Sequence, residues 1–219
     1  MLIAITGADG VGKSTVSSML ATLLNQQDVT MKSLDRWDVC SAEKFPWCRF
    51  IGMPKEQLRH CVADMPAHSR LMFIFWTLYT VIEEYRQDSS PITFIDSYWM
   101  KHAAAEVAMG LPGLWVEQLA AEFPKPDLTI LLDVPPEEAW RRKEQSDFID
   151  LNRYECGMVE QTSKESFIQH QQKLREVLQS WAIKKNWAVV NTHCSVDAVS
   201  QQVIKVLQQK NLITSGEMV

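Results

Sequence analysis

The sequence predicts an α/β fold on a mostly parallel sheet. One reason is five short apolar runs: LIAIT (2–6), MKSLD (31–35), ITFID (92–96), LTILLD (128–133) and WAVVN (187–191). Four of them are continuous rather than alternating, as strands buried on both faces are. A second reason is that segments with helical spacing lie between the runs, at 14–26, 67–85, 102–109, 114–123, 137–143, 164–184 and 196–209. Strands alternating with helices make right-handed parallel crossovers. The third is turn chemistry at the junctions: Pro91 precedes the third run, KPD (125–127) the fourth, and VPPEE (134–138) follows it with proline placed to open a helix.

The elements take their places in that order. The opening MLIAITGADG lacks a basic region before an apolar stretch, so it reads as a strand and not as a signal peptide. The most apolar window, 71–82, includes Thr77 and Thr80 and falls short of the roughly 20 residues that cross a bilayer. Residues 144–160 are polar and poorly periodic, which reads as a mobile loop rather than core. With 219 residues, 46% of them hydrophobic, the chain is read as one domain, 1–219. A net charge of −5 argues against an extended nucleic-acid surface. Cysteines at 40, 48, 61, 156 and 194 show no Cys-x-x-Cys spacing. They are read as ordinary thiols in a reducing compartment, and the chain as cytoplasmic.

Residues 7–14, GADGVGKS, fit G-x-x-x-x-G-K-[ST] between an apolar run and a helical segment. Gly7, Gly10 and Gly12 let the backbone turn its N–H groups toward phosphate oxygens, with Asp9 and Val11 between them. The helix that follows adds the positive end of its dipole. Lys13 is placed for the β- and γ-phosphates, and the Ser14 hydroxyl for Mg²⁺. This pattern implies a bound nucleoside triphosphate, without saying what becomes of it.

With Thr15 the loop becomes G-x-D-G-x-G-K-S-T, which resembles the thymidylate kinases. FIDSYWMKHAAA (94–105) is similar to that family's D-R-Y segment, and PDLTILLDVPPEEAWRR (126–142) to its fourth strand and lid helix. NRYE (152–155) matches the lid loosely, and 167–190 is similar to the closing helix and last strand. The resemblance implies a P-loop nucleoside-monophosphate-kinase fold: five parallel strands in order 2-3-1-4-5, helices on both faces, and a lid at about 141–160. It implies ATP and Mg²⁺, a nucleotide-like acceptor, and a homodimer formed through helices near the apolar 71–82 window.

The departures concern the acceptor. Arg-Glu-Pro-Gly is replaced by Asp35-Arg36-Trp37-Asp38, and D-R-Y by Asp96-Ser97-Tyr98. The long helix, 70–79, lacks the family's Asp-Arg pair. Two arginines that the family sets near the acceptor phosphate are therefore missing, and dTMP is expected to be a poor acceptor. A nucleoside, a modified pyrimidine or another small alcohol is the alternative, and a regulatory ATPase that transfers nothing is a further one.

By resemblance, Asp96 orders Mg²⁺ with Ser14 and accepts the acceptor's proton, and Asp9 faces the acceptor sugar. Arg141, Arg142 and Arg153 are candidates for the migrating phosphate. Asp133 serves either the loop and metal shell or as a helix cap. Arg36 and Arg70 are candidate replacements for the missing arginines, with Trp37, Ile74 and Tyr98 on the acceptor cleft. The wider aromatic set of Phe73, Phe75, Trp76, Tyr79 and Trp99 is shared between cleft and core. No role is assigned to any of the five histidines.

Overall fold

The computed structural model describes residues 1–25, 31–86, 92–145 and 151–213. Positions 26 and 146–150, part of the expected first helix and lid, lie outside the described residues. Among the described residues, five parallel strands form one sheet in the order β2-β3-β1-β4-β5. They are β1 (Leu2–Thr6), β2 (Met31–Leu34), β3 (Ile92–Asp96), β4 (Leu128–Asp133) and β5 (Ala188–Asn191). This is the order that the resemblance implied.

Every residue of β1 is buried, because β3 and β4 flank it on both edges and helices cover its faces. The register sets Ile5 beside Asp96 and Thr6 beside Leu131, so the carboxyl ends of the three central strands are level. At the opposite edge the Leu2 N–H donates to the Asp127 carboxylate at 2.7 Å, which pins the start of β1 to the turn before β4.

The helices form two packed groups around the sheet. α1 (Lys13–Asn25) and α8 (Val196–Gln209) pack on each other. In the second group α4 (Trp99–Ala108) packs on α3 (Ala67–Arg86), α5 (Gly113–Ala120) and α7 (Lys164–Lys185), and α6 (Pro136–Glu144) on α7. Local chemistry marks the ends. Proline opens α6, a Ser163–Ser166 capping box opens α7, and Asn186 closes α7 in the left-handed region at φ 53°.

Two segments differ from expectation. Residues 36–65, given no element from sequence, hold 3₁₀ helices Arg36–Cys40 and Pro46–Cys48 and the helix α2 (Lys55–Asp64). α2 buries Leu58, Val62 and Ala63, too few apolar positions to stand out by periodicity. Within 144–160, the 3₁₀ helix Arg153–Cys156 is anchored to the core by Cys156, 2% exposed, so this part is not free loop. Its Asn152 side chain caps it by accepting from the Tyr154 N–H at 2.9 Å. Among the described residues no helix is long and apolar enough to cross a membrane.

Candidate active site

The loop between β1 and α1 turns through three glycines with positive φ: Gly7 at 155°, Gly10 at 80° and Gly12 at 94°. A Cβ on Gly10 would lie 3.0 Å from the Ala139 carbonyl oxygen, so α6 leaves no room for a side chain there. Val16 donates its N–H to the Gly12 carbonyl at 2.9 Å, starting α1 directly from the loop. Lys13 is buried at 9% exposure, and its Nζ donates to the Ala8 carbonyl across the loop at 2.8 Å. Burial and then the nearby Lys101 ammonium lower the Lys13 pKa. Thr15 is exposed in the first turn.

Ser14 and Asp96 meet beside this loop. The Ser14 hydroxyl donates to Asp96 Oδ2 at 3.0 Å, and the Ser97 hydroxyl to Asp96 Oδ1 at 2.8 Å. Ser97 holds the left-handed region at φ 54°, and its N–H donates to the Ile5 carbonyl at 2.8 Å. A cavity of about 550 Å³ opens here, lined by Ser14, Asp96 and Ser97 together with Arg36, Trp37, Arg59, Ile74, Lys101, His102, Asn152, Tyr154 and Glu155. This is the carboxyl edge of the sheet, where open α/β folds bind ligands.

The cavity's charges are tightly organised. Asp9 Oδ1 is 2.5 Å from Lys101 Nζ, and Gln171 spans the two faces of Asp9. The Asp9 N–H donates to Gln171 Oε1 at 2.8 Å, and Gln171 Nε2 donates to Asp9 Oδ2 at 3.3 Å and to the Glu155 carbonyl at 2.8 Å. Burial raises the Asp9 pKa, but Lys101 and Lys13 outweigh it and hold this carboxyl well below the usual carboxylate range. Arg36 stacks over Trp37 with 3.7 Å from guanidinium carbon to ring centroid. Its Nη1 is sealed from solvent and has no hydrogen-bond partner among the described residues. Burial lowers its pKa to about 10, which still leaves it a cation at neutral pH. His102, 6% exposed, is held neutral by burial and by Arg36, with its pKa well below the ordinary histidine value.

Several residues proposed from sequence sit elsewhere. Arg70 is not at the cavity. It forms a buried two-pronged ion pair with Glu106, Nε to Oε1 at 2.6 Å and Nη2 to Oε2 at 2.9 Å, because burial demands a full partner for its charge. Tyr98 is 1% exposed and lies in the core against Phe123, since the left-handed Ser97 turns the chain inward after Asp96. Tyr79 stacks on the same Phe123 at 3.9 Å and Trp99 meets Trp181, so these aromatic residues are core. Asp133 is held by Arg175 at 2.7 and 2.8 Å and by Gln179 at 3.0 Å, and its side chain does not cap α6.

The three arginines expected on the migrating phosphate diverge. Arg141 is exposed and bound to Glu138 at 2.6 and 2.7 Å. Arg142 donates to the Val11 carbonyl at 3.3 Å and to the Thr192 carbonyl at 2.5 Å, joining the glycine loop to the segment after β5. Arg153 lies on Asp64 at 3.3 Å and on the Met158 and Val159 carbonyls. Lys101, Arg59, His102, Tyr154 and Glu155 line the cavity without having been singled out. For Lys101 a signal existed: it follows Ser97 by four residues, one helical turn beyond the strand end.

A glycine loop that closes on a helix N-terminus, with a buried lysine and a serine–aspartate pair on a central-strand edge, defines a P-loop phosphotransferase. No family model matches the chain. It is 30% identical over 146 residues, 65% of this chain and 68% of the relative, to a probable thymidylate kinase of Archaeoglobus fulgidus. Over 216 residues it is 27% identical to probable thymidylate kinase 1 of Saccharolobus solfataricus, covering 96% of this chain and 98% of that one. It is 25% identical over 211 residues to the thymidylate kinase of Caenorhabditis elegans, 95% and 90% of the two chains. The fold resembles that of a deoxyadenosine kinase from M. mycoides with bound dATP, at TM-score 0.61 and 14% identity, covering 95% of this chain and all of that one. The chain belongs to the thymidylate kinase-like family of P-loop kinases, and it is an ATP-dependent nucleotide kinase.

Proposed function

We propose that the chain transfers the γ-phosphoryl group of ATP to the phosphate of a pyrimidine nucleoside monophosphate seated in the cavity. The observation that carries this is Arg36: a half-buried guanidinium, stacked on Trp37, whose solvent-sealed Nη1 lacks a partner among the described residues. A sealed, unpaired donor on a cation is costly unless an anion completes it. Of the two arginines offered as replacements for the missing pair, Arg70 is spent on Glu106 and Arg36 is not. The relatives' printed name, thymidylate kinase, agrees with a monophosphate acceptor.

In this reading the loop 7–15 holds the triphosphate, with Lys13 leaving Ala8 for the β/γ bridge. Ser14 and Asp96 supply hydroxyl and carboxylate oxygens, the hard donors that Mg²⁺ takes, and would hold it. When bound, Mg²⁺ neutralises charge on the β- and γ-phosphates. Asp9 and Ile74 border the acceptor, and Arg142 steadies the donor side of the loop. Segment 141–160 acts as a lid over the single domain 1–219, Arg153 moving with it. A homodimer through α3 and its neighbours would cover Trp47, Phe50 and Met72, which are 64%, 69% and 51% exposed. The enzyme works in the cytoplasm.

A second reading, phosphorylation of an uncharged nucleoside, draws on Ser97, a short uncharged side chain that lines the cavity directly after Asp96. The test is acceptor-stimulated ADP formation with dTMP, other pyrimidine monophosphates and the matching nucleosides. We expect monophosphates to reach kcat/KM above about 10⁴ M⁻¹s⁻¹. Arg36→Met should raise the monophosphate KM by about 10–100-fold, equivalent to one charge-assisted hydrogen bond, and leave the ATP KM alone. Turnover of nucleosides with none of monophosphates would establish the second reading. ADP release indifferent to any acceptor would mean an ATPase.

A further inference from the structure

We propose that Lys101 is a further catalytic residue, whose ammonium binds the migrating phosphoryl group at the junction of the donor loop and the acceptor cavity. The proposal rests on the phosphotransfer reading above, but not on which acceptor is used. Phosphoryl transfer needs positive charge around the moving group, since charge spreads over its equatorial oxygens. The three arginines first assigned that duty have other partners in this structure: Arg141 holds Glu138, Arg142 holds the Val11 carbonyl of the donor loop and Thr192, and Arg153 holds Asp64. The residue directly after Asp96 is Ser97, whose short side chain folds back on Asp96 and carries no charge.

Lys101 fills that position from one turn further along. It stands in the first turn of α4, the helix that leaves the Asp96–Ser97 strand end, and it lines the same cavity as both of those residues. Lys101 lines the cavity, and it also reaches the donor loop, with Nζ 2.5 Å from Asp9 Oδ1. Its side chain is 13% exposed, so its charge acts in a partly desolvated setting. The cavity's two arginines have contacts away from Asp9. Arg36 stacks on Trp37, and Arg59 is near Glu56 at 3.5 Å. Asp9 serves as the resting partner of the ammonium and aims it between Lys13 and the cavity.

The step balances as follows. The bond from the γ-phosphorus to the β–γ bridging oxygen breaks, and its electron pair leaves on ADP. An oxygen lone pair of the acceptor forms the new bond to that phosphorus. An ionised acceptor phosphate releases no proton, whereas a hydroxyl acceptor gives its proton to Asp96. Lys101 keeps its three protons throughout and donates hydrogen bonds to the oxygens in flight.

The test uses Lys101→Met, Lys101→Arg, Asp9→Asn and the double variant Asp9→Asn/Lys101→Met, with saturating ATP and Mg²⁺ and the best acceptor from the screen above. We expect Lys101→Met to lower kcat by at least about 100-fold with the ATP KM within about threefold, and Lys101→Arg to recover at least a tenth of wild-type kcat. A structural ion pair gives a different pattern, because removing both charges relieves the unpaired Asp9. We therefore expect the double variant to melt near the wild-type temperature and yet turn over at least about 30-fold more slowly than Asp9→Asn alone. Equal kcat in the double variant and Asp9→Asn would overturn the proposal, even if Lys101→Met alone fails to fold. An enzyme that prefers uncharged nucleosides would refute the monophosphate reading and leave this comparison intact.

Discussion

At Gly7 the backbone leaves β1 with φ 155°, and a Cβ there would run into the Leu132 carbonyl and come within 2.8 Å of Val11 Cγ2. Backbone atoms of β4 cannot move aside, so Gly7→Ala should cost about 3 kcal/mol, seen as a melting point lower by about 6–12 °C. Lys13 behaves differently, since its ammonium bonds a loop carbonyl. Lys13→Ala should abolish transfer and shift the melting point little. Wild-type turnover in the folded variant would remove the loop from the mechanism. Asp96→Asn should lower kcat by at least about 100-fold while sparing ATP affinity, because its work lies in the transition state. A drop under about threefold would make it a plain strand-end residue.

Single elements carry measurable stability of their own. Ser163 accepts from the Ser166 N–H at 3.1 Å while the Ser163 N–H donates to Ser166 Oγ at 2.9 Å, satisfying two donors at the start of α7. Ser163→Ala should cost about 1 kcal/mol and lower the melting point by about 2–4 °C, with no loss for Ser163→Asp. The strands were legible in the sequence because central parallel strands are apolar on both faces and need no periodicity to be seen. α2 was not, since its buried face is three residues wide in a polar segment. The cavity was legible at Ser14 and Asp96 from motifs, and at Arg36, Trp37 and Ile74 from the resemblance. Lys101 and His102 lie past the D-R-Y-like residues of the 94–105 segment, and their duties come from tertiary neighbours. The fate of Arg70 turned on a partner 36 residues away in Glu106, which no local pattern reveals.

The molecule as a whole should weaken in mild acid. Burial holds His170 at a pKa of about 4 and His102 well below the ordinary value, and both become protonated readily once unfolded. Between about pH 6.5 and 4 the unfolded chain therefore binds more protons than the native one, so stability falls as pH falls. His170 alone accounts for about 2 kcal/mol between pH 7.5 and 5. Thermal melts across that range should show the decline, and His170→Gln should flatten it. A melting temperature independent of pH from 7.5 to 5 would mean that these imidazoles titrate normally in the native state.

The central place of β1 has a consequence for how the chain is made. Leu2 pairs with Thr93 and Ile3 with Leu128, so a strand that is buried throughout in the finished fold is synthesised long before either neighbour exists. At roughly 5–20 residues per second, β1 waits on the order of ten seconds for β3 and longer for β4. During translation the segment that anchors the phosphate loop is thus an unpaired, aggregation-prone ribbon, and its shelter in that interval must come from outside the finished fold.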